Sequence, residues 1–203
     1  ECSPIAALNR DVDYRDDAAG LPLPGVEIKI VNPGSDGVGE ICVKGPNVML
    51  GYYEDPETTK KVLKDGWFYT GDLGYMDDDQ FVYVTGRKKN VIVTKNGKNI
   101  YPEEIETLLA KSTYIKECMV YGKNDPVYGD VVVSATIVPD MEAIQAEFGG
   151  RQPSDEEIRN LIRKAVKEVN KSLVIYKYVK DFDLREEEFA KTTTRKIKRY
   201  IES

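Results

Sequence analysis

Histidine is absent from the 203-residue chain, and cysteine is scarce, with three residues at positions 2, 42 and 118. The lack of histidine excludes Ser–His–Asp and Cys–His nucleophile pairs and the helical zinc-protease motif. Three cysteines so far apart fit reduced thiols in a cytoplasmic protein better than a disulfide framework or a zinc site. Catalysis, if there is any, must therefore rest on lysine, arginine, carboxylates, backbone amides or a metal ion held by oxygen.

Long apolar runs are also lacking, since no stretch approaches the roughly 18 residues that a membrane-spanning helix needs. We therefore expect no transmembrane segment, while peripheral contact with a membrane stays open. The formal net charge of -6 leaves no broad basic face for nucleic acid. The chain starts at Glu1 rather than at Met, which we interpret as processing or as a piece of a longer protein.

Short strands separated by turns are predicted for the first region, residues 1–85. VEIKIV (26–31) and GEICVKG (39–45) alternate apolar and polar residues, as strands with one buried face do. A short helix is expected within 55–66, and Asp77–Gln80 has the composition of a hairpin turn.

The second region, residues 86–203, mixes strand and helix patterns. A helix begins at Pro102, and a longer one runs from about Ser154 to Leu173, opened by a capping box between Ser154 and Glu157. Strands are predicted at 91–94, 115–122, 130–138 and 174–184. The fold class is therefore α+β, with a domain boundary between 85 and 86.

Three stretches have charge patterns that are typical of binding sites. YTGD (69–72) is either a tight turn or a carboxylate that accepts hydrogen bonds from ribose hydroxyls. GRKKNVIVTKNGKNIYPEEIE (86–106) is a solvated hairpin, a contact for nucleic acid or a pocket for a phosphorylated small molecule. KTTTRKIKRY (191–200) is a solvated tail, a nucleic-acid arm or a loop that delivers one lysine to a reaction.

Four blocks of the chain, in one order, resemble the adenylate-forming enzymes, a superfamily that contains acyl-CoA synthetases, luciferases and peptide-synthetase adenylation domains. The blocks are GEICVKGPNVMLGYYEDPETT, GWFYTGDLGYMDDDQFVYVTGR, GRKKNVIVTKNGKNIYPEEIE and KTTTRKIKR. ECSP at the start resembles the residues that follow the family's Y-G-x-T. RKKNVIV and DGWFYTGDLGY look most similar to long-chain fatty-acid CoA ligases.

The resemblance implies an AMP-forming ligase that joins a fatty acid to ATP with Mg²⁺ and then passes the acyl group from AMP to coenzyme A. Residues 1–85 would be the last, β-rich portion of the large AMP-binding domain, and 86–203 the mobile C-terminal lid domain. The phosphate loop and most of the acyl pocket lie upstream in this family. The fragment alone is therefore expected to be inactive and to need the missing N-terminal domain.

Site residues follow from the same resemblance. Asp72 matches the aspartate that binds the ribose hydroxyls, and Arg87 matches the arginine that assists it. Glu1 matches the glutamate associated with magnesium and the phosphates. Lys89 matches the hinge about which the lid domain rotates, and Gly97 matches the glycine of the loop that lines the pantetheine tunnel.

Lys196 matches the catalytic lysine of the closing block, which bridges the substrate carboxylate and the α-phosphate. This block departs from the family pattern, because Ala190 stands where proline is usual and Arg195 stands where glycine precedes the lysine. If that position needs a positive φ, arginine there costs about 1 kcal/mol. Arg195 or Lys198 would then be candidates to share the role of Lys196.

Two other interpretations stay open. One is an acyl-AMP ligase that delivers acyl groups to the phosphopantetheine of an acyl-carrier protein instead of coenzyme A. The other is a non-catalytic binding module derived from a lid domain without its partner domain. Neither the acyl chain length nor the thiol acceptor follows from these residues.

Overall fold

The structure, a computed structural model, describes residues 1–125 and 129–202. The chain divides into two compact units, Glu1–Lys89 and Asn90–Ser203, a few residues after the boundary that the sequence predicts. A short 3-10 helix, Lys88–Asn90, occupies the junction. Each unit has its own apolar core.

The first unit is a β-rich structure with one short helix. A five-stranded antiparallel sheet has the order β3-β4-β6-β5, with β7 paired to β6, and β1 and β2 form a separate pair. The strands are β1 (Ala7–Leu8), β2 (Leu21–Pro22), β3 (Glu27–Val31), β4 (Gly39–Lys44), β5 (Leu63–Lys64), β6 (Trp67–Met76) and β7 (Val82–Arg87), and the helix is α1 (Pro56–Val62).

Antiparallel pairing of β3 with β4 aligns the apolar residues of the predicted strands. Ile28 lies opposite Val43, and Ile30 lies opposite Ile41. Ile41 and Val43 are buried together with Val82, and Ile28 and Ile30, which are half-buried, pack against them. Each such side chain contributes about 1.5–3 kcal/mol when fully buried, so the alternation seen in the sequence holds this sheet together.

The second unit is a three-stranded sheet with helices, which gives the chain as a whole the predicted α+β class. The sheet has the order β10-β11-β12, with β10 and β11 antiparallel and β11 and β12 parallel. The strands are β8 (Ile92–Val93), β9 (Asn99–Ile100), β10 (Ile115–Asp125), β11 (Asp130–Pro139) and β12 (Val179–Leu184), and the helices are α2 (Pro102–Leu109), α3 (Met141–Glu147), α4 (Asp155–Lys171) and α5 (Arg199–Glu202).

Apolar side chains of the second unit pack on both faces of this sheet. Helices α2 and α4 contribute Ile105, Leu109, Ile158 and Ile162 to a core with Val120, Val133 and Ile137 of the strands. After β12 the chain returns over other strand residues, where Phe189 and Ile197 pack with Met119 and Val138. The terminal segment is therefore attached to the sheet by burial.

The predicted capping box is confirmed. The backbone N–H of Ser154 donates to the Glu157 carboxylate over 2.9 Å, and the Glu157 N–H donates to Ser154 Oγ over 3.3 Å. Helix α4 begins immediately after Ser154 and ends at Lys171. Within the described residues, every helix is too short or too polar to cross a bilayer.

Two local predictions need correction, and one helix was not predicted. The strand predicted over 174–184 begins only at Val179, where pairing with Val133 of β11 starts; before it lies a 3-10 turn, Ile175–Lys177, with Ile175 exposed. Helix α1 ends at Val62 because Leu63 and Lys64 pair with β6. Helix α3, Met141–Glu147, was not predicted from the sequence.

Candidate functional site

An ion pair between Asp72 and Arg87 is the first element of the candidate site. Pairing of β6 with β7 places the two residues opposite each other, and Arg87 Nε lies 2.7 Å from Asp72 Oδ1. Arg87 Nη1 also donates to the Thr70 carbonyl over 3.3 Å. The Asp72 side chain is 33% exposed, so the strands fix its orientation while leaving it accessible to a ligand.

Residues 70–72 do not form the tight turn considered from the sequence; they form a bulge within β6, and hydrogen bonds fix the backbone around Asp72. Thr70 Oγ1 donates to the Ile41 carbonyl over 2.7 Å and accepts from the Asp72 N–H over 3.0 Å. Gly71 has φ 70°, a left-handed conformation that favours glycine, and its N–H donates to Glu40 over 3.2 Å. A ligand would therefore meet a preformed carboxylate rather than a loop that must first order.

Glu40 is a site residue that the sequence analysis missed. Its side chain is 12% exposed, and while one oxygen accepts from Gly71, the other accepts from Lys88 Nζ over 2.7 Å. Glu40 thus connects the β6 bulge that contains Asp72 to Lys88, the residue before Lys89. The signal available in the sequence was an acidic residue at the start of the otherwise apolar strand GEICV.

A cavity of about 450 Å³ in the first unit has Asp72 and Arg87 in its wall, together with Glu1 and Tyr52. The Tyr52 hydroxyl donates to Glu1 Oε1 over 3.0 Å. Burial and this hydrogen bond raise the pKa of Tyr52 above its usual value, so the phenol stays a donor at neutral pH. The structure therefore brings three predicted site residues, Glu1, Asp72 and Arg87, around one space.

Glu1 suits a magnesium ion that takes most of its ligands from phosphates and water. Among the described residues no group of three or more His, Cys, Asp or Glu side chains converges as a metal cage. Mg²⁺ in nucleotide sites is commonly held by one or two carboxylates and by the substrate's own oxygens. A single carboxylate in the wall of this cavity fits that donor set.

Gly97 lies in a five-residue turn, Thr94–Lys98, between β8 and β9. The Thr94 N–H donates to the Lys98 carbonyl over 3.0 Å, and the Gly97 N–H donates to the Thr94 carbonyl over 2.9 Å. Gly97 has φ 71°, and a Cβ added there would meet no described atom within 4 Å. The backbone conformation thus favours glycine, and the space beside it is open.

Lys196 lies in a second turn, Thr192–Lys196, of the same type. The Thr192 N–H donates to the Lys196 carbonyl over 2.8 Å, and the Arg195 N–H donates to the Thr192 carbonyl over 2.9 Å. Arg195 has φ 62°, so the position where the family pattern has glycine does need a positive φ here. The Lys196 side chain is exposed at the end of this turn.

The remaining candidates, Lys89 and Lys198, differ in exposure. Lys89 is exposed in the 3-10 turn that ends the first unit. Lys198 is half-buried, and its N–H donates to the Ala190 carbonyl over 2.8 Å. Gly97 and Lys196 both belong to the second unit, but they lie on separate turns.

The cysteines are poor candidates for nucleophiles. All three are free thiols. Burial raises the pKa of Cys42 to about 11 and that of Cys118 to about 12. Burial also raises the pKa of Cys2. The thiols stay protonated at neutral pH, and thiolate is the reactive form.

Known protein families and individual proteins resemble this chain along most of its length. A family model described as AMP-binding enzyme matches residues 1–53, and one described as AMP-binding enzyme C-terminal domain matches residues 89–200. The long-chain-fatty-acid–CoA ligase of Salmonella typhimurium is 40% identical over 138 residues, 65% of this chain and 24% of that protein. The indoleacetate–CoA ligase of Aromatoleum aromaticum is 45% identical over 148 residues, 68% of this chain and 28% of that protein.

A solved structure gives the same result for the fold. The o-succinylbenzoate coenzyme A synthetase of Bacillus subtilis, in complex with ATP and magnesium ion, matches with a TM-score of 0.69 and 31% identity, over 91% of this chain and 35% of that one. The chain spans about a quarter of the length of the curated relatives. Because the C-terminal-domain model alone matches more than half of its residues, the chain belongs to the AMP-binding enzyme family.

Proposed function

We propose that this chain is the C-terminal part of an AMP-forming acyl-CoA ligase and that long-chain fatty acids are its substrates. The observation that carries the proposal is the Asp72–Arg87 pair, held 2.7 Å apart by two paired strands in the wall of a cavity that Glu1 also lines. A fixed, accessible carboxylate is suited to the two hydroxyls of a ribose, because it accepts several hydrogen bonds at once.

In the first half-reaction the fatty-acid carboxylate attacks the α-phosphate of ATP and pyrophosphate leaves. Two negatively charged groups approach each other, so a cation between them stabilises the transition state more than the separated reactants. Lys196 is our candidate for that cation, because its ammonium group is exposed on a turn with a defined backbone. Glu1 would hold Mg²⁺ on the phosphates, which neutralises charge on the leaving group.

In the second half-reaction the thiol of coenzyme A replaces AMP on the acyl carbon. Gly97 is our candidate for the passage of the pantetheine arm, because the absence of a side chain leaves open space beside the turn. The change from one half-reaction to the other would require the lid domain, 86–203, to rotate relative to 1–85 about Lys89. A short exposed turn at the junction suits that role, since a few residues absorb a domain rotation.

The fatty-acid substrate is supported by the ligase of Salmonella typhimurium, whose name gives long-chain fatty acids and which is 40% identical. The name of another relative at 45% identity gives indoleacetate, so the substrate has to be measured. We place the enzyme in the cytoplasm, in lipid metabolism, with ATP, Mg²⁺ and coenzyme A as its other reactants. We also propose that the 203 residues alone are inactive.

The test measures AMP formation by the chain joined to its upstream portion, with Mg-ATP, coenzyme A and one of palmitate, indoleacetate or o-succinylbenzoate. Palmitate should give the largest kcat/KM, and Asp72→Asn should lower kcat/KM for ATP about 10- to 100-fold, as for other hydrogen bonds to a charged group. A preference for indoleacetate would contradict the fatty-acid assignment. Carboxylate-dependent pyrophosphate release by the 203 residues alone would contradict their inactivity.

A further inference from the structure

The turn that presents Lys196 is a two-stranded hairpin with little support of its own. Besides the turn hydrogen bonds, it has one isolated bridge between Lys191 and Ile197, and Lys196 N–H donates to Thr192 Oγ1 over 3.1 Å. A hairpin of this size is at best marginally stable in water. Its position is therefore set by its contacts with the rest of the unit, which are the packing of Ile197 on the sheet and charged contacts at its base.

One contact at the base joins Arg199, the last residue of the block KTTTRKIKR, to Glu106, the last residue of the block GRKKNVIVTKNGKNIYPEEIE. The Arg199 guanidinium pairs with Glu106 of helix α2, and Arg199 Nη1 donates to the Val120 carbonyl over 2.8 Å. Glu106 also accepts from the Val120 N–H over 2.6 Å. The two side chains are only 22% and 19% exposed.

Glu106 and Arg199 thus provide hydrogen-bond partners for the N–H and the carbonyl of Val120. Val120 belongs to β10, which is an edge strand of the β10-β11-β12 sheet. Arg199 and Glu106 occupy the place that a further strand would take at that edge. A buried ion pair is seldom a source of net stability, because desolvation offsets the attraction, but it fixes register where one position alone satisfies both charges. A slip of one residue would turn Lys196 to the other side of the hairpin.

Two carboxylates, those of Glu117 and Glu188, hold the other strand of the hairpin through Lys191. Lys191 pairs with Glu117, which is 11% exposed, and with Glu188 over 2.8 Å. Glu117 also accepts from the N–H of Phe189 over 3.1 Å. Both strands of the hairpin therefore end in charged contacts to the sheet or to the segment that precedes the hairpin.

We propose that Arg199 and Glu106 are positioning residues for Lys196: their ion pair fixes the register of the 190–198 hairpin on the edge of β10. The proposal rests on the proposed function for its catalytic consequence, though not for its structural part. It gives a role to Glu106 and Arg199, the final residues of two sequence blocks, which are not part of the candidate site. Misplacement of a reacting group by about 1 Å costs on the order of 100-fold in rate, so a loose hairpin would impair catalysis without unfolding the unit.

The first test is amide hydrogen exchange on the 203-residue chain, with Arg199→Lys and Glu106→Gln. Arg199→Lys keeps the charge but loses the fork that bonds two acceptors at once. The amides of Thr192, Arg195 and Lys198 should lose about tenfold or more of their protection. The 94–98 turn, with the same hydrogen-bond pattern, is the internal control and should be unchanged, as should the hairpin in the surface variant Arg163→Lys.

Retained protection of the hairpin in both folded variants would overturn the proposal. If a single variant unfolds the unit, Glu106→Leu combined with Arg199→Met leaves no unpaired buried charge and decides instead. Loss of hairpin protection alone in that double variant supports the proposal, and retained protection contradicts it.

The second test uses the chain joined to its upstream portion. Arg199→Lys should lower acyl-AMP formation about tenfold or more, while acyl-CoA formation from supplied acyl-AMP changes by less than about twofold, because only the first step uses Lys196. Equal loss in both steps would show a general structural defect and contradict the positioning role. If the parent makes no acyl-AMP, the proposed function fails, and the exchange experiment still decides the structural claim.

Discussion

The two five-residue turns of the second unit, Thr94–Lys98 and Thr192–Lys196, have the same backbone hydrogen bonds. They differ in the residue at the fourth position, where φ is positive. In both, the first threonine closes the turn through its own N–H and carbonyl, and its Oγ1 accepts from the N–H of the final lysine over 3.1 Å. The fourth residue is in the left-handed conformation in both, at φ 71° for Gly97 and φ 62° for Arg195. Glycine adopts that conformation at little cost, whereas arginine does not.

The difference shows how each turn is stabilised. The 94–98 turn closes between two paired strands, and the Lys95 N–H donates to Asp130 over 2.9 Å. The 192–196 turn carries a strained residue, and its support comes from the packing of Ile197 on the sheet and from ion pairs at its base. In the proposed enzyme the first turn serves thioester formation and the second serves adenylation, so each is open to separate tests.

Lys196→Ala should have the largest effect of the changes considered. In the chain joined to its upstream portion, acyl-AMP formation should fall about 100- to 1,000-fold, the usual loss when one group that stabilises developing charge is removed. Lys98→Ala, at the equivalent position of the other turn, is the matched control and should change that rate by less than about twofold. A large loss in Lys198→Ala with little loss in Lys196→Ala would transfer the role to Lys198.

Gly97→Leu should impair thioester formation about tenfold or more, because a side chain would fill the open space that we assign to the pantetheine arm. The readout is acyl-CoA formation from supplied acyl-AMP at varied coenzyme A. Gly149→Leu is the control, since Gly149 has a similar φ of 67° and similarly open space. Equal losses in the two variants would attribute the effect to backbone strain.

Lys89→Pro tests whether the unit that carries both turns changes position. Proline fixes φ, so one half-reaction should fall about tenfold or more while the other is spared. Lys89→Ala removes the side chain but leaves the backbone free, and should affect both steps little. Parallel losses of both steps in Lys89→Pro would count against the hinge.

Arg195→Gly should stabilise the second unit by about 0.5–1 kcal/mol, since relief of the left-handed strain exceeds the added entropy of the unfolded chain. Arg195→Ala keeps the strain and should gain nothing. In the other turn, Gly97→Ala should cost about 1 kcal/mol, from the backbone alone. Chemical denaturation measures all three, and a stabilising Gly97→Ala would refute this explanation.

The smallest expected effect is the change in thermal stability at acidic pH that Glu188 causes. The Lys116 and Lys191 ammonium groups lower the pKa of Glu188, below the hairpin, to about 2 from an ordinary 4.5. A lowered folded-state pKa adds stability above about pH 4.5 that is lost as the pH falls toward 2. Tm should therefore fall over that range, and less steeply in Glu188→Gln. An identical slope in the variant would remove Glu188 from the account.

Local patterns predicted much of this structure because their causes are local. The capping box at Ser154 and Glu157 needs only residues three apart, and it is present as predicted. The need for a positive φ at position 195 was likewise predicted from a short motif. The tight turn considered for YTGD was not found, because residues 70–72 form a bulge within β6. The predicted roles stay predictions for all six site residues, which are Glu1, Asp72, Arg87, Lys89, Gly97 and Lys196.

Contacts between distant segments were not predicted. Glu40 bonds Gly71 and Lys88 only because three strands align, and Arg199 reaches Glu106 and Val120 only once the terminal segment has crossed the sheet. The strand over 174–184 was wrong in its first part because apolar residues at 174–176 do not show where pairing with β11 begins. Periodicity reports which side chains prefer burial, and pairing register is decided by the partner strand.

The most direct test of the account compares Lys196→Ala with Gly97→Leu in acyl-CoA formation from supplied acyl-AMP, in the chain joined to its upstream portion. The account predicts that Lys196→Ala retains parental activity within about twofold while Gly97→Leu loses about tenfold or more, because only the 94–98 turn acts in this step. Equal loss in both variants, or a greater loss in Lys196→Ala, would contradict the assignment of one turn to each half-reaction.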